Sequence, residues 1–76
     1  MKLIHKTQDT IANVDFLVKV YKDSEWNEYV CRLFANGAEM YSSAYHTDDK
    51  QDALDTADRM LGFYRLRADL MSVGAI

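Results

Sequence analysis

Between Val14 and Asp23 the chain alternates, with Val14, Phe16, Val18 and Val20 on one side of a period-2 pattern rich in β-branched and aromatic residues. This spacing predicts a strand. A polar turn, SEWN at 24–27, leads into EYVCRLFA, where Tyr29, Cys31 and Leu33 alternate with Glu28, Val30, Arg32 and Phe34 as a second strand. Asn36 and Gly37 tolerate the positive φ of a two-residue type I′ hairpin. AEMYSSAYHT then supplies a third strand, with Glu39, Tyr41, Ser43 and Tyr45 on one face and Ala38, Met40, Ser42 and Ala44 on the other. MKLIHKTQ adds an N-terminal edge strand.

After Thr47 the period changes to that of a helix. Ala53, Leu54, Ala57, Met60, Leu61, Tyr64, Ala68 and Met71 fall in one stripe, as in a helix lying on a sheet, and Asp48, Gln51, Asp52, Asp55, Asp58 and Arg59 occupy the opposite side. Thr47 is the expected N-cap, with Asp48 and Asp49 in the first turn where carboxylates meet the positive helix end. The stripe runs through Gly62 without a break, giving one helix over 48–72. Beyond Gly62 the outer face turns apolar, with Phe63, Leu66, Leu70 and Val73 where the aspartates were. The expected fold is α+β: an antiparallel, three- to four-stranded meander with one long C-terminal helix packed on one face.

Composition narrows the class. Seventy-six residues with 49% hydrophobic content make one domain, 1–76, whose small core favours an added staple such as a metal or a subunit interface. Cys31 is the only cysteine, which excludes an internal disulfide and fits a reducing cytosol. The N-terminal residues carry no secretory pattern, and no run of 18 apolar residues occurs, so a cytoplasmic location without membrane contact is expected.

Five aspartates and one lysine in DDKQDALDTAD, residues 48–58, place a net −4 in one segment of a chain whose total is −3. Two readings compete: a solvated helix face ordered by the helix dipole and an Asp55–Arg59 pair, or an acidic surface for a basic partner. The density of aspartate, a poor interior helix former, favours weighing the second. Asp48, Asp49, Asp52, Asp55 and Asp58 are therefore candidate partner-binding residues. Trp26 in its turn joins them, since tryptophan is enriched at interface hot spots. Phe63, Leu66, Leu70 and Val73 are candidate dimer-interface residues.

Catalytic candidates are few. His5 and His46 are far apart, no nucleophile motif or glycine-rich phosphate loop occurs, and Cys31 reads as a small buried hydrophobe. HTDD at 46–49 reads as a capped turn rather than a metal site, so no cofactor or metal is expected.

The order strand, NG hairpin, strand, helix resembles the second half of a double-stranded-RNA-binding domain. That family opens its last helix with a basic KKxAK motif, whereas DKQDALDTA stands here, with Asp49 and Asp52 repelling phosphates. Direct nucleic-acid binding is not expected of this face or of a chain with net negative charge.

As a small acidic chain with one sheet, one helix, no catalytic motif and a compact MKLIHKTQDT start, the sequence resembles phage-encoded anti-CRISPR inhibitors. The resemblance implies a non-enzymatic inhibitor of a host protein or ribonucleoprotein complex with a basic surface, in the host cytoplasm. No functional residue is transferred by it. The alternative expectation is a structural or regulatory homodimer. An enzyme and a small-molecule binder follow in that order.

Overall fold

The computed structural model describes the backbone of residues 1–74 and the side chains of residues 1–67. Strands β1 (Lys2–Ile11), β2 (Val14–Asp23) and β3 (Glu28–Ala35) form an antiparallel meander. Two short strands, β4 (Ala38–Glu39) and β5 (Tyr45–Thr47), both pair with β3, and helix α1 (Lys50–Gly74) follows. The α+β architecture read from the sequence is the observed one, with the sheet extended to five strands.

Turn chemistry fixes the register. Asn36 and Gly37 have φ of 50° and 84°, the positive pair that a type I′ turn needs. The Asn36 side chain also accepts the Asp15 N–H at 3.0 Å. A second turn of this kind joins β1 to β2 through Ala12 and Asn13, at φ of 51° and 64°. In the Ser24–Asn27 turn, Asp23 accepts the Glu25 N–H at 3.1 Å and Asn27 takes the Lys22 ammonium at 2.9 Å.

The expected third strand is not continuous. A 3₁₀ turn at Tyr41–Ser43 interrupts it, closed by Ser43 N–H to Met40 O at 3.0 Å and Ala44 N–H to Tyr41 O at 3.2 Å. Two serines and alanine at its centre offer little of the cross-strand packing that holds a strand flat. Continuing the β4 register would set Ser42 opposite Cys31, but Tyr45 stands there instead, three residues further along. An odd shift reverses the faces. Glu39 thus lies on the sheet face with Phe34 and Arg32, whereas Tyr45 lies beside Cys31 on the face that α1 covers.

The core lies between the sheet and α1. Phe16, Val18 and Val20 from β2 and Cys31 and Leu33 from β3 meet Ala53, Ala57 and Leu61, all buried, with Ile11 at the hairpin end. Ala53 and Ala57 leave room for the helix backbone to approach, and the Cys31 thiol donates to Ala53 O at 3.1 Å. A β-bulge between Leu3 and His5 lets Ile4 pack against this core from the edge strand. Further along α1, Tyr64 stacks on Phe16 at 4.4 Å between ring centroids, and Arg65 donates to Asp9 of β1 at 2.7 Å.

The helix begins two residues later than the sequence suggests. Asp49, not Thr47, is its cap: Asp49 Oδ1 accepts the Gln51 N–H at 2.9 Å and the Asp52 N–H at 3.4 Å. Thr47 Oγ1 instead accepts the Asp49 N–H at 3.2 Å, bending the chain out of β5. Asp48 and Asp49 therefore precede the first turn, and Asp52 is its acidic residue.

Candidate interaction surfaces

The five aspartates do not form one face. Asp49 is used by the cap. Asp52 turns toward β5, where its carboxylate accepts the Tyr45 O–H at 2.6 Å and lies 3.7 Å from Arg59. Hydrogen bonds from Tyr45 and then Thr47, with the Arg59 charge, hold Asp52 below the usual carboxylate range against a smaller opposing effect of burial. Asp52 is thus a positioning contact between helix and sheet edge, and its expected place on the outer side is corrected. The small alanines at 53 and 57 bring the helix flank near enough to β5 for this contact.

The expected Asp55–Arg59 carboxylate pair is absent as well. Gln51 Nε2 donates to Asp55 Oδ1 at 2.9 Å, and Arg59 reaches the Asp55 backbone oxygen at 3.4 Å and the Asp52 carboxylate. Asp48 and Asp58 are exposed and make no hydrogen bond or ion pair among the described residues. Asp55 and Asp58 therefore face solvent along the outer side of α1, and Asp48 does so in the turn that precedes it.

Trp26 is 73% exposed. Tyr29 at the start of β3 pairs with Thr47, so the Trp26 turn and the entry to α1 lie at the same end of the sheet. Beyond Gly62, Phe63 and Leu66 are 57% and 61% exposed. The side chains of Leu70 and Val73 lie outside the described residues.

A groove of about 450 Å³ runs beside Phe63, between α1 and the interrupted edge, with Leu33, Ser43, Tyr45 and Met60 among its walls. It exists because the 3₁₀ turn opens the sheet edge. Sequence reading missed it, and the only local signal was the pair of serines in the expected strand.

Reactive chemistry is sparse in this arrangement. Burial, with a smaller contribution from the Asp52 charge, pushes the Cys31 thiol up to about 11. His46 meets Glu28 at 3.1 Å rather than the aspartates of HTDD, and no group of three or more metal-ligating side chains gathers among the described residues. No described helix is long and apolar enough to cross a membrane. No protein-family model matches the chain, and no curated protein or solved structure is significantly similar to it.

Proposed function

We propose that this chain is a non-enzymatic binding domain that docks through the outer face of α1 onto a basic surface of a host protein or ribonucleoprotein complex. It would act as a phage- or mobile-element-encoded inhibitor of the anti-CRISPR kind, working in the host cytoplasm. The observation that carries this reading is how the aspartates divide. Asp49 and Asp52 serve the fold, whereas Asp48, Asp55 and Asp58 stand in water with no cation beside their carboxylates among the described residues. Such a surface raises association rates with a positive partner and competes with phosphates for the same cations. Trp26 supplies an aromatic anchor at the same end.

Capture from host lysate on wild type and on an Asp48→Asn/Asp55→Asn/Asp58→Asn variant tests this, with a gel shift on the captured complex. Expected is a nucleic-acid-binding complex held by wild type alone, released between about 50 and 200 mM salt and impaired in binding its nucleic acid. Equal retention on both proteins would sink the acidic-face mechanism.

Exposure of Phe63 and Leu66 favours a second reading, a homodimer across the C-terminal half of α1. Leu66→Glu would then halve the molar mass in light scattering. An unchanged mass removes the dimer.

A further inference from the structure

The ladders of β1, β2 and β3 put Lys6 opposite Lys19, and Lys19 opposite Arg32. Three cations thus form one row across three adjacent strands, about 10 Å long at the usual strand spacing. Their neighbours Val18, Val20, Cys31 and Leu33 are buried under α1, so alternation places the row on the opposite, uncovered face. Like charges directly opposite one another destabilise a sheet, and two of these three sit on the central strands, where edge protection does not explain them.

Four carboxylates stand at the margins of this face, each held by a neighbour. Asp15 accepts the Thr10 hydroxyl at 2.7 Å, Glu28 meets His46 at 3.1 Å, Asp23 caps the turn and Glu39 lies 3.8 Å from Arg32. Lys6 and Lys19 have no carboxylate partner among the described residues. Rings flank the row on both sides. The Lys19 ammonium lies 5.1 Å from the centroid of Phe34, and the Arg32 guanidinium lies 5.6 Å from that of Tyr21.

We infer that this sheet face binds a short stretch of single-stranded nucleic acid, with phosphates on Lys6, Lys19 and Arg32 and bases stacked at Tyr21 and Phe34. A row of cations flanked by rings offers both kinds of contact that a polymer of phosphates and bases uses. An acidic peptide would use the cations and leave the rings idle. The net negative charge of the chain and the four carboxylates at the margins of this face weaken the binding, whereas the α1 carboxylates lie on the far side of the sheet. The proposal is independent of docking through α1.

The test is fluorescence anisotropy of a labelled oligothymidylate of about eight nucleotides, a length within known single-strand site sizes, titrated with the full chain. Three phosphate contacts give a slope of log affinity against log salt of about −2, and Lys6→Gln/Lys19→Gln reduces it to about −0.7. Phe34→Leu weakens binding at least about fivefold with the slope unchanged. Circular dichroism checks each fold, and Lys19→Gln alone serves if the double variant is unfolded. Asp55→Asn/Asp58→Asn leaves this binding undiminished, which separates its failure from failure of the α1 reading. No binding at about 20 mM salt, variants that bind like wild type, or displacement by oligoglutamate at equal concentration would each overturn the inference.

Discussion

Tyr45 donates its phenolic hydrogen to Asp52 across 2.6 Å, joining the last strand to the first turn of the helix. The bond lowers the Asp52 carboxyl from its ordinary value and raises the Tyr45 phenol from its own. A depressed carboxyl contributes stability above its unfolded value of about 3.9 and loses it as pH falls through the folded value. A raised phenol contributes below about 10 and loses it as pH climbs through the folded value. Tyr45→Phe therefore lowers the thermal midpoint by a small, steady amount between about pH 5 and pH 9, and the gap to wild type closes at both extremes. A gap that widens in acid would contradict this linkage. Both groups are solvent-exposed, so the effect is small and salt-screened.

The closeness of α1 to the sheet depends on small residues. Ala57 is fully buried among β2 and β3 side chains, so Ala57→Leu has no space and costs about 1–3 kcal/mol by overpacking. Leu61→Ala fails in the opposite sense, leaving a cavity at a cost of about 2–5 kcal/mol. A domain of this size holds roughly 4–11 kcal/mol in total, so either change removes a large share. Urea unfolding followed by the circular dichroism of the helix measures both. A midpoint unmoved in Ala57→Leu would show that the helix can lift without loss.

Strand β2 was legible because one helix covers one face of it, which leaves a clean alternation, and β3 because Asn36–Gly37 announces its turn, although Val30 is buried beside Cys31 and breaks the alternation there. The β1–β2 hairpin carries only half of that signal, in Asn13. Ala12 has no side-chain chemistry that marks a left-handed turn, and only the paired strands force it there. The break in the third strand was hidden because Ala38, Met40, Ser42 and Ala44 alternate acceptably, although of these four Met40 alone packs against the core. That hidden shift moved Tyr45 onto the helix side and made a partner for Asp52. The acidic run was legible as charge but not as geometry, since capping by Asp49 and the turn of Asp52 depend on where the helix begins. The Lys6, Lys19 and Arg32 row belongs to three strands far apart in sequence and appears only once both registers are known.

Ala12 sits at φ 51°, where an L-residue other than glycine, asparagine or aspartate is disfavoured by about 1–2 kcal/mol. Ala12→Gly removes that strain but adds freedom to the unfolded chain, which costs up to about 1 kcal/mol. The balance is a stabilisation of about 0–2 kcal/mol, read as a higher urea midpoint with an unchanged slope. A lower midpoint would mean that the Ala12 methyl makes a contact worth more than the strain.

Cys31 combines complete burial with a thiol pushed up to about 11. At pH 8 only about one part in a thousand of such a thiol is ionised, and the sulfur is covered by α1 at Ala53. Native protein should therefore react with a disulfide reagent far more slowly than protein unfolded in urea. How the reagent arrives distinguishes two kinds of opening. If exposure requires global unfolding, Leu61→Ala accelerates labelling by the factor that it removes from stability, about thirtyfold for 2 kcal/mol, when closing is fast relative to reaction. If α1 lifts locally at its N-terminal turns, Tyr45→Phe accelerates labelling more than its small effect on the thermal midpoint accounts for, because it cuts the tie beside Ala53. Rapid labelling of native wild type at pH 8 would refute the burial itself, and with it the close seating of α1 on β3.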